Sequence, residues 1–216
     1  MTNKGLLSWL SKKKLTDEKV ANIFVNSSFE TVEKGWPEVA SMLNASPGFE
    51  TYPDLDKKDY GLFLMIVVSA NLSLVPKYFE PGVDRAIIKR CCAKFGLALG
   101  VPKNDFALKV KANRDFMKKI NHPSNNNVTA MTRAVFYKYG LIKKQDVYFR
   151  DMNVPNPIIM KSLRDVMEHF AWEWEDISDH YRVSVSKDHP SNNTVTARTL
   201  HDALPICCLD THDVCI

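Results

Sequence analysis

Apolar residues recur at helical spacing near the start of the chain. Thr16 precedes two acidic residues, and Val20, Phe24 and Val25 then form one apolar stripe that stops before Gly35. A hydroxyl cap, acidic residues in the first turn and a terminal glycine are the usual signals of a helix start and stop. The pattern therefore predicts a helix that begins after Thr16 and ends before Gly35.

Similar stripes continue along the chain and are separated by proline, glycine and asparagine. They predict further helices at 37–43, 60–75, 81–95, 106–120, 128–139 and 158–181. Within 141–151, Val147 and the two aromatic residues after it fit either a short strand or an irregular link. We expect an all-α fold: a compact, irregular bundle of about six or seven helices with at most a minor short strand. One domain would span 15–187, after a short amphipathic segment at 1–14.

The most hydrophobic window, residues 60–75, raises the question of a membrane span. It is shorter than the roughly 18 residues of a typical spanning segment, and it contains Ser69, Asn71 and Ser73. We therefore expect a buried central helix and no transmembrane segment.

The apolar stretch near the N-terminus is too short for a signal peptide, and its lysines mostly follow it, so we expect a cytoplasmic protein.

Composition excludes some classes of protein. Hydrophobic residues make up 45% of the chain and charged residues 25%, which are globular values and argue against disorder. The five cysteines have no CxxC spacing, so no zinc or thioredoxin signal is present in the sequence. Cys91 and Cys92 lie in an apolar helix, where we expect one thiol in the core and the other partly exposed.

A short internal repeat stands out near the C-terminus. Residues 122–133 read HPSNNNVTAMTR and residues 189–200 read HPSNNTVTARTL, so nine of twelve positions match. A structural repeat would carry its hydrophobic pattern with it. The first copy leads into an apolar stretch of helical spacing, whereas the second leads into LHDALPICCLDTHDVCI, which has neither helical nor strand periodicity.

The residues after the second copy have an external resemblance. Residues 200–206, LHDALPI, resemble the in-frame translation of a common short-read sequencing adapter over all seven positions. We interpret 188–216 as a disordered tail that arose as a sequence artefact and does not belong to the fold. A native, flexible C-terminal tail is the alternative. Its four aspartates and one arginine carry a net charge of −3, so the formal charge of the chain would rise from +4 to +7 without it.

The predicted last helix carries a polar stripe beside its apolar one. His169, Glu173, Asp176 and His180 follow at spacings of four, three and four residues, which places them on one helical face. Imidazole nitrogens and carboxylate oxygens are ligands for divalent metals, and helical bundles build such sites. These four residues are the candidate metal ligands, with a divalent metal as the candidate cofactor. A solvated face beside the core is the alternative.

Two further features suggest macromolecular partners. Trp172 lies roughly opposite Phe170 on the predicted last helix, and an exposed tryptophan there would indicate a protein interface. Lys111, Arg114 and Lys118 share one face of a strongly basic helix, which suits an anionic partner such as nucleic acid. Other lysines on that helix lie off this face, and no recognised nucleic-acid motif accompanies them.

Three functional hypotheses follow. The leading one is a non-enzymatic cytoplasmic interaction or accessory protein that binds a protein partner through the last helix, because no catalytic constellation is visible. The first alternative is a basic nucleic-acid-binding protein. The second is a metal-dependent enzyme that uses the polar face of the last helix.

The artefact interpretation can be tested by sequencing. We expect genomic DNA of the source organism to depart from this reading frame at about residue 188 and to lack codons for LHDALPI at this place, because adapter sequence is not genomic. Amplification and sequencing of the locus measures this directly. A genomic frame that encodes 188–216 without interruption would disprove the interpretation.

Overall fold

The computed structural model describes residues 12–186. The predictions for most of the amphipathic N-terminal segment and for the tail at 188–216 lie outside the described residues.

The described residues are mostly helical, which confirms the all-α prediction with its minor strand content. The strands are β1 (Lys13–Thr16) and β2 (Tyr181–Ser184). The α-helices are α1 (Asp17–Asn44), α2 (Gly61–Tyr78), α3 (Val83–Ala98), α4 (Lys103–Asn121), α5 (Asn127–Lys138), α6 (Val147–Asp151), α7 (Pro157–Met167) and α8 (Trp174–His180). Single turns of 3₁₀ helix occur at Leu141–Lys143 and Glu168–Phe170.

Contacts group the described residues into two compact units. The first unit comprises 12–27, 72–107 and 172–186, and the second comprises 28–71 and 108–171. Helices α1, α2 and α4 each contribute residues to both units. The single domain expected from the sequence stays a prediction.

An aromatic cluster and a short parallel strand pair build the first unit. Phe24 is buried, and its ring centroid lies 4.9 Å from that of Trp174 and 6.1 Å from that of Phe95. Strand β1 pairs with β2 in parallel, with Lys13 opposite Tyr181. The strands therefore join two segments that are far apart in sequence, a pairing that helical periodicity gives no means of predicting.

A buried carboxylate secures the end of this strand pair. The Asp17 side chain is completely buried and accepts hydrogen bonds from Arg90 Nε at 2.5 Å and from the backbone nitrogen of Ser186 at 2.8 Å. Glu18 extends the cluster, since it contacts Arg90 Nη1 at 3.0 Å and Lys94 Nζ at 2.5 Å. Burial alone would raise the pKa of the Asp17 carboxyl, but the hydrogen bonds from Ser186 and Arg90 outweigh it and lower that pKa.

A second aromatic cluster forms the core of the second unit. Trp36 is fully buried and stacks on Tyr139 at 5.0 Å, and its indole nitrogen donates to the Asp56 carbonyl oxygen at 2.9 Å. Phe63 lies 4.9 Å from Trp36 and makes an edge contact of the same length with Phe170. These contacts place residues from distant parts of the sequence in one core.

Helix α1 continues where the sequence predicted a stop and a new start. It runs through Gly35 and Pro37 as one element. A Cβ atom at position 35 would lie 2.5 Å from Phe170 Cζ, so glycine is required there by the close approach of the ring and not by a turn. Proline cannot donate the usual helical hydrogen bond, but Trp36 and Val39 on either side are fully buried and hold the helix together.

The single last helix predicted for 158–181 is wrong. Helix α7 ends at Met167, a 3₁₀ turn follows, and α8 begins only at Trp174. Phe170 packs in the second unit, whereas Trp174 packs in the first. A continuous helix would instead have placed these two side chains one turn apart on a single face.

Two smaller expectations also need correction. Val147 begins the short helix α6, so the segment is neither a strand nor an irregular link; Asp146 caps it by accepting from the Tyr148 nitrogen at 2.8 Å.

Cys91 and Cys92 are both buried, so neither thiol is partly exposed. Burial raises the pKa of the Cys91 thiol, which makes the reactive thiolate scarce.

Helix α2 is, among the described residues, the one helix that is long and apolar enough to cross a membrane by length and composition. Its most apolar window is 67% buried within the protein, as in the core helix of a soluble protein. The predicted window at 60–75 therefore corresponds to a largely buried helix.

Replacement of the buried carboxylate should destabilise the protein in a pH-dependent way. Asp17→Asn should lower the free energy of unfolding by about 1 to 3 kcal/mol at neutral pH, because it weakens charge-assisted hydrogen bonds in a buried cluster. The folded-state pKa of Asp17 lies below its ordinary value of 3.8. The contribution of Asp17 is thus fully present above that value and is lost as the pH falls through the lowered pKa.

Urea unfolding of wild type and Asp17→Asn, at neutral pH and at pH values below 3.8, measures the difference in their free energies of unfolding. Glu38→Gln, an acid-to-amide change at an exposed position of the same helix, is the control and should change stability by no more than about 0.5 kcal/mol. If the difference in free energy of unfolding between wild type and Asp17→Asn does not become smaller in acid, the stabilising role of the ionised Asp17 carboxylate is wrong.

At position 35, the close approach of the Phe170 ring should outweigh the higher helix propensity of alanine. Gly35→Ala should destabilise the protein by about 1 to 2 kcal/mol, although alanine is the better helix former, because its Cβ overlaps the buried ring. In a Phe170→Leu background the same change should cost less. Chemical unfolding of the four proteins of this double-mutant cycle gives the coupling, and additive effects would disprove the contact.

Candidate functional site

The four candidate metal ligands do not share a helical face. His169 lies in the 3₁₀ turn after α7, Glu173 lies in the link that follows, and Asp176 and His180 lie in α8. His180 Nδ1 is 2.8 Å from the Asp176 carbonyl oxygen, and His169 Nδ1 is 3.2 Å from the Val166 carbonyl oxygen. The break between α7 and α8 removes the spacing argument on which the metal site rested.

A metal site of another composition is not evident either. Within residues 12–186, no group of three or more histidine, cysteine, aspartate or glutamate side chains is placed to hold a metal ion. Inside this range the structure thus offers no alternative donor set for a divalent cation.

Trp172 contributes to the core of the first unit. The residue follows the 3₁₀ turn and precedes α8 in the sequence. Its side chain is half-buried, and its ring centroid lies 5.4 Å from that of Phe24 and 6.0 Å from that of Trp174. The long helix expected to carry Trp172 is wrong, whereas the interface role of this residue stays a prediction. The ring packs within its own unit, which leaves only part of it accessible.

The candidate basic face of α4 is only partly available. Lys111 is exposed but contacts Asp115 Oδ2 at 3.3 Å, Arg114 is half-buried, and Lys118 is exposed. Downstream, Lys138 lies 5.0 Å above the Phe116 ring, and burial lowers the pKa of its ammonium group. Lys111 and Lys118 thus stay exposed on this face, because an exposed ion pair contributes little, whereas Arg114 is partly covered.

A surface that the sequence interpretation missed lies at residues 147–158, which we call the apolar surface. Five large apolar side chains are exposed within these twelve residues: Val147, Tyr148, Met152, Val154 and Ile158. Tyr52 is exposed on a neighbouring loop, which is joined to this region by a hydrogen bond from the Thr51 nitrogen to the Lys144 carbonyl oxygen at 3.1 Å. Single exposed apolar residues are ordinary, but five of them within twelve residues make this segment a candidate interaction site.

A buried glutamine holds the apolar surface in one conformation. Gln145 is fully buried; its Nε2 donates to the Val154 carbonyl oxygen at 2.7 Å, and its Oε1 accepts from the Asn156 nitrogen at 2.8 Å. Asn156 in turn caps α7 by accepting from the Ile158 nitrogen at 2.9 Å. Pro155 and Pro157 restrict the backbone between these bonds. These bonds hold the segment in its folded conformation, so that binding a partner requires no further ordering of its backbone.

A basic cleft, with a volume of about 410 Å³, adjoins this segment. It is lined by residues of α5, of α7 and of the link before α7: Thr129, Thr132, Arg133, Pro155, Pro157, Met160, Lys161 and Arg164. Three of its lining side chains are cationic: Arg133, Lys161 and Arg164. Pro155 and Pro157 belong to its apolar wall and flank residues of the apolar surface. The two features therefore meet along the same short segment.

The sequence carries only weak signals for either feature. The run of apolar residues at 147–149 fits a short strand or a link, and its exposure is a property of the folded segment. Arg133 and Lys161 are far apart in sequence and meet only because α5 packs against α7. The local signal for the basic cleft is Pro155 and Pro157, which precede a predicted helix that contains Lys161 and Arg164.

Comparisons with known proteins give no assignment. No protein-family model matches the chain, and no curated protein or solved structure is significantly similar to it. The candidate function therefore depends on the geometry of the described residues.

Proposed function

We propose that this chain is a non-enzymatic interaction protein that binds a protein partner through the apolar surface at 147–158. The observation that carries the proposal is the exposure of five large apolar side chains on one short segment. Removal of such side chains from water upon binding is the main favourable contribution to protein association. The partner would present a complementary apolar face.

The order of this segment supports the proposal. A surface that must become ordered upon binding loses affinity, because its conformational entropy is lost at that moment. Here the Gln145 hydrogen bonds, the Asp146 cap and the two prolines hold the backbone before a partner arrives. Tyrosine and methionine at the surface also suit an interface, since both are enriched in interface cores.

The proposed surface replaces the one expected from the sequence. Trp172 on a long last helix was the expected anchor, but this ring is half-buried within its own unit. Ile158, in contrast, is 72% exposed at the start of α7. We thus propose the functional class that we expected from the sequence, but with other residues as its binding surface.

The two alternatives stay as predictions without a specific contact in their favour. For nucleic-acid binding through Lys111, Arg114 and Lys118, the exposed ion pair between Lys111 and Asp115 is only a weak competitor. The hypothesis of a metal-dependent enzyme assumed that its four candidate ligands share one helical face, and they do not. The cytoplasmic location likewise stays a prediction.

Paired surface variants test the proposal. Tyr148→Ser combined with Ile158→Ser should weaken partner binding at least tenfold, because each removes a large apolar contact. Tagged wild-type and variant chains are incubated with an extract of the source cells, and captured proteins are quantified by mass spectrometry. The expected result is one or more stoichiometric partners that the double variant fails to retain.

The matched control uses exposed leucines outside the apolar surface. Leu97→Ser combined with Leu108→Ser removes comparably exposed side chains and should leave capture unchanged. Both double variants should unfold within about 0.5 kcal/mol per substitution of wild type. Equal capture by all three proteins, or no stoichiometric partner of the wild type, would overturn the proposal.

A further inference from the structure

The basic cleft has the dimensions and position of a small-molecule site. Its volume of about 410 Å³ falls within the usual range of ligand pockets. Thr129 and Thr132 of α5 line one side, and residues near the start of α7 line the other. Thr129 lies in the first turn of α5 and Pro157 begins α7, whereas Arg133 and Arg164 lie in later turns of the same two helices.

The charge of the cleft has one sign. Arg133, Lys161 and Arg164 line it, and none of the described lining residues is acidic. Arg133 is half-buried, and its Nη1 donates to the Ile120 carbonyl oxygen at 2.5 Å. This bond fixes the guanidinium in place and leaves its other N–H groups for an anion.

The other two cations are also available to a ligand. Lys161 is exposed and makes no ion pair with any residue of the described range. Arg164 Nε lies 3.9 Å from Glu168 Oε1, at the limit of an ion pair between two exposed side chains. Such a pair contributes little, so an incoming anion with several oxygens would displace it.

The remaining lining residues are apolar. Pro155, Pro157 and Met160 form a wall beside the cations. Thr132 has its hydroxyl engaged with the Val128 carbonyl oxygen at 2.8 Å, so it adds little recognition of its own. A ligand that satisfies the whole cleft therefore combines a multiply charged oxyanion with an apolar substituent.

We propose that the basic cleft binds a small organic phosphate monoester. Its phosphate group is held by Arg133, Lys161 and Arg164, and its apolar substituent lies against Pro155, Pro157 and Met160. Guanidinium groups suit this role because they donate paired hydrogen bonds to phosphate oxygens. This inference stands independently of whether the apolar surface binds a protein.

Titration with phenyl phosphate, followed by amide chemical shifts of the ¹⁵N-labelled full chain, tests the proposal. We expect saturable shifts that centre on Thr129, Thr132, Arg133 and Lys161. Phenyl phosphate should bind at least tenfold more tightly than phenol, which lacks the charge, and also more tightly than inorganic phosphate, which lacks the ring.

Variants of the two exposed cations separate a built site from general attraction to positive charge. Lys161→Gln combined with Arg164→Gln should weaken phenyl phosphate binding at least tenfold. Arg85→Gln combined with Lys89→Gln removes the same two charges from exposed positions of α3 and should leave binding unchanged. Shifts that do not saturate, shifts centred outside the cleft, or equal weakening by both double variants would overturn the proposal.

Discussion

The first unit depends on the compensation of one buried negative charge. Asp17 directly follows β1, and Ser186 lies two residues beyond β2, so the hydrogen bonds between them close the end of the strand pair. A parallel pair of four-residue strands would be marginal alone. Arg90 brings α3 to the same carboxylate. Three segments distant in sequence thus meet at a group that could not stay charged in the interior without them.

Much of the helical content was predictable because it follows from local patterns. The apolar stripe of α3, the basic helix α4 and the asparagine-rich start of α5 all occur within a few residues of their expected positions. Predictions failed where a distant contact overrode the local signal. Gly35 resembles a helix terminus until the Phe170 ring is placed against it, and Phe170 and Trp174 resemble one stripe until they are assigned to separate cores.

The candidate sites were less predictable than the fold for a related reason. Exposure of Ile158 and Tyr148 is a property of the folded segment, since apolar residues in a sequence are ordinarily assigned to the core. The basic cleft depends on the packing of α5 against α7, which no spacing rule reports. Conversely, the 169/173/176/180 pattern was convincing only while those residues were assumed to lie on one continuous helix.

The strand pairing also has a consequence for the order of folding during synthesis. Lys13 leaves the ribosome long before its partner Tyr181 has been translated. Strand β1 and the carboxylate of Asp17 therefore wait, unpaired, while the intervening residues emerge. The residues of the second unit, which end at Ala171 within the described range, are all synthesised before β2. Strand β1 can therefore gain its partner only after nearly all of the described residues have been synthesised.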